Sequence, residues 1–587
     1  GGYSTLDSEK YGPVFTGYHA PLVKVGESYG SRIGVSTDPR TANILKEVSE
    51  KIAPGQKVIE LSTIDLMSPI EAIPKQHWDE VRRLSKLTGV EVTVHGPITD
   101  ASGVVEGRQF DEERRKMVER KLLQALERSH QINPEGNVPV TFHTSNQLPG
   151  PVWERNEKGE IETVVMPIVN QETGQINQVK RDVKYYPIAR DKEYNIIPVE
   201  KGKIYGVDEQ LKIMNTSDWD NNLQQLIIPK EHADRILREV YPYVKDVLPL
   251  LISKKIEHED LSDTLKPYYS RFLNAHEQLR DVEMHLNSLF SKGYEHSSER
   301  TKEYLTAVAE KFRKDVLIPH PEAKVLVESP DPMVHSKALQ NLMNHLRVEN
   351  FGEKRPLPEL YVPSEKYALE KTAESYGNVA FEAYKKFGYG KEKDTTPLIL
   401  IENPPAGGGL SRAQDLKNVV EKSREKFIEN ATKPTEQGGL GMSKSEADRR
   451  AKELIGVTWD VGHINQLRRF GFTGKDIIKE AETIAPLVRH VHLSDNFGLD
   501  NVELPMGMGN VDFKEVMQKL GKQGEEARKI VEAAHWWQFQ QTSPVGVSME
   551  ALGSPIYGMK QGPYWNQSSG FLQGYFGGYG AFLPQIN

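Results

Sequence analysis

Short apolar runs alternate with helix-period patterns in two separate parts of this chain. In residues 31–146 and 364–552, runs of four to eight apolar or β-branched residues are typical of buried strands. The stretches between them place apolar residues three and four positions apart, which is typical of amphipathic helices. The predicted strands cover residues 31–35, 58–62, 91–97, 138–145, 397–405, 456–459, 490–496 and 529–535. Strands that alternate with helices indicate a parallel sheet.

Residues 147–363 interrupt this alternation. From about 152 to 228 the pattern is β-like, and from about 231 to 350 it is helical. A structureless connection of this length would be unusual inside a compact domain. The segment is therefore predicted to be an inserted cap subdomain that is first β and then α.

Together the two interrupted parts predict a (β/α)8 TIM barrel, with its first half at 31–146 and its second half at 364–552. They comprise roughly 300 residues, which is close to the typical size of about 250. Ser411 followed by Gln414 predicts a capping box at the start of one helix. The N-terminal arm (1–30) and the C-terminal tail (553–587) are rich in glycine and aromatic residues and have no clear period.

Side chains that can bind metals end six consecutive predicted strands. In a barrel these ends surround one axis on the face that carries function. A single histidine at a strand end is more often a hydrogen-bonded structural residue, but a ring of imidazoles and carboxylates suits Zn²⁺ or Mn²⁺. Mg²⁺ and Co²⁺ are also compatible, no organic cofactor is expected, and Glu402 could bridge two ions. The residues are His95, His143, Glu402, Asp460 with His463, His492 and Glu532.

Composition narrows the chemistry and the partners. The chain of 587 residues has no cysteine, so thiolate metal sites and disulfides are excluded. Its net charge of −8 lacks the basic footprint of a dedicated nucleic-acid-binding protein. A small substrate is therefore expected rather than nucleic acid. The longest apolar run, 247–253, is too short for a membrane span, and a cytoplasmic location is expected. A homo-oligomer is compatible with the sequence.

The strand-end motifs resemble the xylose-isomerase-like TIM-barrel superfamily. That superfamily includes sugar isomerases and epimerases and apurinic endonucleases of the endonuclease IV type. The motifs extend over the two barrel halves and leave out the insertion and the tail. They are His95-Gly-Pro, Phe142-His143, Ile401-Glu402-Asn403, Trp459-Asp460-Val-Gly-His463, Val491-His492-Leu-Ser-Asp-Asn496, Leu504-Pro-Met-Gly-Met-Gly-Asn-Val-Asp512 and Val531-Glu532.

The resemblance implies two alternative metal sites. In epimerase-like members one ion is held by the residues that match Glu402, Asp460, His492 and Glu532, and His463 would then contact substrate. In endonuclease-like members a three-metal cluster adds the positions of His95, His143 and His463. The cluster also uses an Asp and a His after the seventh strand. This sequence has Asn501 and Glu503 there; Glu503 can still bind a metal, whereas Asn501 is a poor substitute.

Three functions remain open at this level. The favoured one is a metal-dependent isomerase or epimerase of a sugar or sugar phosphate, with Glu402 and Glu532 as acid and base. His463 and Asn403 would contact the substrate, and His535 with Trp536 could stack on a sugar ring. The second function is an endonuclease IV-type phosphodiester hydrolase acting on abasic DNA. The third is a barrel that serves as a structural assembly module.

Overall fold

A closed eight-stranded parallel barrel organises the larger part of the chain. The computed structural model describes residues 32–38, 43–52, 56–63, 73–184, 189–190, 196–197, 203–253, 255–319, 325–329, 331–533, 536, 540 and 543–551. The arm (1–30) and the tail (553–587) that were predicted from sequence lie outside these residues, as does His535.

The eight barrel strands pair in parallel in their sequence order, and the eighth strand closes on the first. The predicted barrel and the position of each strand are thereby confirmed. The strands, called first to eighth below, are Ile33–Ser36, Val58–Ser62, Glu91–His95, Pro139–His143, Leu398–Glu402, Ile455–Asp460, Val488–Leu493 and Arg528–Val531.

Helices follow or precede most of these strands. They are Ile44–Ile52, Lys75–Thr88, Glu112–Ile132, Ser364–Phe387, Ala413–Thr432, Lys444–Leu454, Val461–Asn465, Gly474–Ile484, Phe513–Glu526 and Val545–Ala551. The predicted capping box is displaced by one residue. Arg412, rather than Ser411, is the N-cap, and its backbone N–H donates to Asp415 Oδ2 at 3.3 Å.

The interior of the barrel is more polar than its outer surface. Thr141 on the fourth strand and Thr458 on the sixth strand form a hydrogen bond of 2.8 Å between their hydroxyls. Because these strands are not neighbours in the barrel, the bond crosses its interior. The remaining strand positions are largely buried Val, Ile, Leu, Phe and Trp, as expected where helices cover a parallel sheet.

The intervening segment contains short strands followed by long helices. Its strands are Val152–Arg155, Ile161–Asn170, Ile176–Lys180, Asp182–Lys184, Ala189–Arg190, Ile196–Ile197, Lys203–Tyr205, Leu317–Pro319, Leu326–Glu328 and Tyr361–Pro363. Two further short strands, Val104–Val105 and Gln109–Phe110, lie in the first half of the barrel. Its helices are Val207–Val244, Leu248–Ile252, Lys266–Glu295, Glu299–Val316 and Pro332–His345. The β-then-α order agrees with the prediction.

The helical part begins earlier than predicted, at Val207 instead of about 231. Glu209 supports the start, because its carboxylate accepts the backbone N–H of Gly206, the residue just before the helix, at 3.2 Å. The two longest helices and their neighbours share a core of buried side chains, including Trp219, Leu237 and Leu279. This subdomain therefore has a hydrophobic core of its own.

The chain forms two compact units. One consists of Asn170–Thr173 and Arg181–Val362, and the other contains the barrel. The strands Val152–Arg155 and Ile176–Lys180 belong to the barrel unit. The inserted unit is thus smaller than the predicted range 147–363. Among the described residues, no helix combines the length and the apolar character needed to cross a membrane.

Candidate metal centre at the ends of the barrel strands

Glu402, the last residue of the fifth barrel strand, lies at the middle of the predicted ring. Its Oε2 atom is 3.1 Å from His95 Nε2 and 3.0 Å from His143 Nε2. Its Oε1 atom is 2.8 Å from His492 Nδ1. The third, fourth, fifth and seventh strands therefore bring four predicted ligands together.

Asp460 and Glu532 extend this arrangement on one side. Glu532 Oε1 lies 3.2 Å from His492 Nδ1. One group of potential ligand atoms, all within 4.8 Å of one another, comprises Glu402, Asp460, His492 and Glu532, and another comprises His95, His143 and Glu402. Glu402 belongs to both groups, so the arrangement can accommodate one ion or two.

The turn after the sixth strand fixes Asp460 and His463. Asp460 Oδ1 accepts the backbone N–H of His463 at 2.7 Å. Asp460 Oδ2 is buried and has no hydrogen-bond partner among the described residues; the nearest ring nitrogen is His463 Nδ1 at 3.5 Å. That nitrogen donates to the Asn403 carbonyl at 2.9 Å. Asp460 Oδ2 and His463 Nε2 are therefore the two atoms of this turn that these hydrogen bonds do not use.

Asn403 does not have the surroundings of a substrate-contacting residue. It is fully buried, its Nδ2 donates to the Asp460 carbonyl at 3.0 Å, and its Oδ1 accepts the Asp460 N–H at 2.8 Å. Both ends of its amide are thus occupied by the backbone of Asp460. The amide of Asn403 is therefore committed to the Asp460 backbone, and the substrate contact predicted for this residue stays a prediction.

The electrostatic surroundings separate the two glutamates. Burial alone would raise the pKa of Glu402, but the adjacent His492 and His143 outweigh it and hold that pKa well below its usual range. Burial raises the pKa of Glu532 well above its usual range against the opposing effect of His492, and the nearby carboxylates of Glu402 and Asp460 raise it further. These surroundings favour the ionised form of Glu402 and the protonated form of Glu532.

The donors fit a divalent cation. Nitrogen and oxygen ligands about 2.0–2.1 Å from a zinc ion lie about 3.3 Å apart in a tetrahedral shell. The contacts of Glu402 with the imidazoles, at 2.8–3.1 Å, are close to this separation. The uncommitted Asp460 Oδ2 supplies a further oxygen. Imidazole and carboxylate donors without any thiolate suit both Zn²⁺ and Mn²⁺.

A cavity of about 670 Å³ opens onto this centre. His95, His143, His463 and Glu532 line it, whereas Glu402, Asp460 and His492 have no exposed surface. Hydroxyl and amide side chains line it as well, from Ser36, Thr37, Ser62, Ser145, Asn146 and Gln466. Its volume is typical of a pocket for a small molecule.

The other residues predicted for the site differ in whether they line the cavity. Glu503 is half-buried and lines the cavity, but it is in none of the ligand groups found among the described residues. Asn501 accepts a hydrogen bond of 2.7 Å from Gln466 Nε2. Trp536 is not among the described residues that line the cavity. The predicted stacking with His535 concerns a residue outside the described part of the chain.

Two buried residues near the centre escaped the sequence prediction. Glu60 on the second strand and His490 on the seventh strand have no exposed surface, and both lie close to His492. The available signal was the run Val58-Ile-Glu-Leu-Ser62, in which a carboxylate interrupts a strand that is otherwise buried and apolar. A charge in such a position is almost always paired or functional.

A family model matches part of the second half of the barrel. Residues 413–551 match the family model described as xylose isomerase-like TIM barrel. An uncharacterised protein of Methanocaldococcus jannaschii is 30% identical over 95 residues, which are 16% of this chain and 31% of that protein. The chain thus matches about a third of the relative's length. A crystal structure of a D-tagatose 3-epimerase-like protein aligns with 88% of this chain and 98% of its own at 11% identity and a TM-score of 0.33, too low to support an argument.

Proposed function

We propose that this chain, whose barrel belongs to the xylose isomerase-like TIM-barrel superfamily, is a divalent-metal-dependent isomerase or epimerase of a sugar or sugar phosphate. The observation that carries the proposal is the cavity of about 670 Å³ that ends on the buried ring of imidazoles and carboxylates. Its hydroxyl and amide lining suits a ligand with many hydroxyl groups. The net charge of −8 also favours a small substrate over a polyanion.

The residues divide into ligands and groups that face the substrate. Glu402, Asp460, His492 and Glu532 would hold a divalent ion, which supplies polarisation of a carbonyl or hydroxyl pair when bound. Glu532 reaches the cavity and can exchange a proton with a carbon beside that carbonyl.

The surroundings of Glu402 and His463 refine the predicted roles. Glu402 is enclosed by three imidazoles and has no exposed surface, which favours a ligand role over the predicted acid–base role. His463 lines the cavity, and its Nδ1 is bound to the Asn403 carbonyl. Its Nε2 is therefore available to hydrogen-bond a substrate hydroxyl.

A panel of aldoses, ketoses and their phosphates tests the proposal. Metal-free protein is incubated with each sugar, with Mn²⁺, Zn²⁺, Co²⁺ or Mg²⁺ and with excess chelator, and the products are separated by chromatography. Turnover that requires a metal and falls at least a hundredfold in Glu532→Gln is expected. Glu113→Gln, in an exposed ion pair with Lys116, is the matched control and should leave turnover unchanged. Absence of turnover across the panel would reject the proposal.

Phosphodiester hydrolysis is the second candidate, and the shared position of Glu402 favours it. One carboxylate that faces His95 and His143 on one side and His492 on the other can bridge two ions, as two-metal hydrolases require. Two ions per chain, reduced to one in His143→Gln, together with cleavage of an abasic-site duplex, would support this function. One ion per chain, retained in His143→Gln, would exclude it.

A further inference from the structure

Glu60 reaches the candidate metal centre from inside the barrel. It lies in the middle of the second strand and has no exposed surface. Its Oε1 and Oε2 atoms are 3.1 and 3.3 Å from His492 Nε2, and the Thr93 hydroxyl donates to Oε2 at 3.4 Å. None of the motifs at the strand ends includes this residue.

The two nitrogens of His492 have different surroundings. Nδ1 faces Glu402 at 2.8 Å and Glu532 at 3.2 Å, which places it within the ligand group. Nε2 faces Glu60. An imidazole that binds a metal through one nitrogen commonly donates its other N–H to a carboxylate, which fixes the tautomer and the ring orientation. Glu60 has the position of that carboxylate.

The packing around Glu60 strengthens this interpretation. The His490 ring stands at 80° to the His492 ring, with centroids 5.1 Å apart, and its Nε2 is 3.3 Å from Glu60 Oε2. A buried carboxylate without a partner would cost several kcal/mol. The N–H of His492 is therefore the partner that compensates the buried charge of Glu60.

We propose that Glu60 is a positioning residue that accepts the Nε2–H of His492 and keeps Nδ1 directed at the metal. The inference rests on the metal centre of the proposed function, but it does not depend on which substrate is converted. Removal of the carboxylate should weaken metal binding without altering the number of ions. A conservative Asp at this position should restore part of the affinity if its shorter side chain still reaches Nε2.

The experiment compares zinc affinity, zinc stoichiometry and the imidazole NMR signals of full-length wild type, Glu60→Gln and Glu60→Asp. Thr141→Val is the matched control, since Thr141 is an equally buried polar residue of the barrel interior whose hydroxyl bonds Thr458. Affinity is measured by chelator competition. The ¹⁵N-labelled imidazoles of the zinc-loaded proteins are observed by NMR, and the His492 signals are assigned with His492→Gln. Circular dichroism establishes that each variant is folded.

A 10- to 100-fold weaker zinc affinity in Glu60→Gln, with unchanged stoichiometry, is expected. The Nε2–H signal of His492 should shift or broaden in that variant, and Thr141→Val should match the wild type. Wild-type affinity and an unchanged His492 signal in folded Glu60→Gln would overturn the inference. A fall in stoichiometry by one ion would also overturn it, because Glu60, His490 and His492 would then themselves hold a metal.

The sugar panel separates this result from the proposed function. Weakened zinc binding in Glu60→Gln together with no turnover of any sugar would support Glu60 as a positioning residue and reject the isomerase. Turnover by a wild type whose zinc affinity does not depend on Glu60 would support the isomerase and reject the positioning role. A wild type that binds no zinc would overturn the positioning role as well.

Discussion

Replacement of Glu402 by Gln should destabilise the metal-free barrel. In the native state the carboxylate is fully buried and lies 2.8–3.1 Å from nitrogens of His95, His143 and His492. Gln keeps the shape of the side chain but removes its negative charge. Because the raised pKa of His492 favours its charged form, that buried imidazolium then has one carboxylate partner fewer. Breaking a buried pair of this kind costs about 3–5 kcal/mol.

The sign of the pH dependence follows from the lowered pKa of Glu402. A carboxyl group whose pKa is lower in the folded state stabilises the fold above its unfolded pKa. That contribution disappears as the pH falls through the folded value. The difference between wild type and Glu402→Gln should therefore be largest from about pH 5 to 6 and shrink in stronger acid. It should also shrink as the pH rises above about 6.5, because the paired imidazolium of His492 contributes fully only below the unfolded pKa and the contribution is lost as the raised folded pKa is passed.

Thermal unfolding of metal-free protein by calorimetry measures this difference. At about 2 °C per kcal/mol for a domain of this size, Tm should fall by roughly 6–10 °C. Glu113→Gln, whose exposed pair with Lys116 is screened by solvent, should stay near the wild type. An unchanged Tm for Glu402→Gln at pH 7 would refute the reasoning, because the imidazoles would then not depend on this carboxylate.

Three further predictions concern stability and the metal. Burial and the neighbouring Asp415 raise the pKa of Glu365 to about 8, so this carboxyl favours the fold while protonated and loses that contribution between about pH 4.5 and 8. Glu365→Gln should remove this loss of stability, which is at most about 5 kcal/mol, and equal slopes of stability against pH in urea unfolding of the two proteins would contradict this. Zinc at a hundredfold excess over Kd should stabilise metal-free protein by about 2.7 kcal/mol in a thermal-shift assay, and an unchanged Tm would argue against the centre. Gly34→Ala would place a Cβ atom 2.0 Å from the Val58 carbonyl oxygen, so unfolding should become easier by about 3 kcal/mol or more, and wild-type stability would show that the strands can separate.

The barrel could be predicted because its strands and helices repeat a simple pattern. Each strand is a short apolar run bounded by turns, and parallel strands align their carboxyl ends without any further information. His95, His143 and His492 could therefore be grouped before their distances were known. Family motifs then indicated which of the strand-end residues belong to one ligand set.

Features that depend on contacts between particular residues could not be predicted from the sequence. Asn403 follows Glu402 directly and could have faced the cavity, yet its amide lies along the backbone of Asp460. The shift of a helix cap from Ser411 to Arg412 is a change of one residue in backbone geometry. The barrel rule singles out strand ends, whereas Glu60 lies in the middle of a strand.

The electrostatics of the centre imply that protons occupy it when no metal is bound. Neighbouring carboxylates outweigh burial and raise the pKa values of His95 and His492, while burial raises the pKa of Glu532. These are ligands that must lose their protons before they bind a cation. On the proposed function, metal uptake would therefore release protons, so the apparent affinity for a cation should rise with pH as these groups lose their protons.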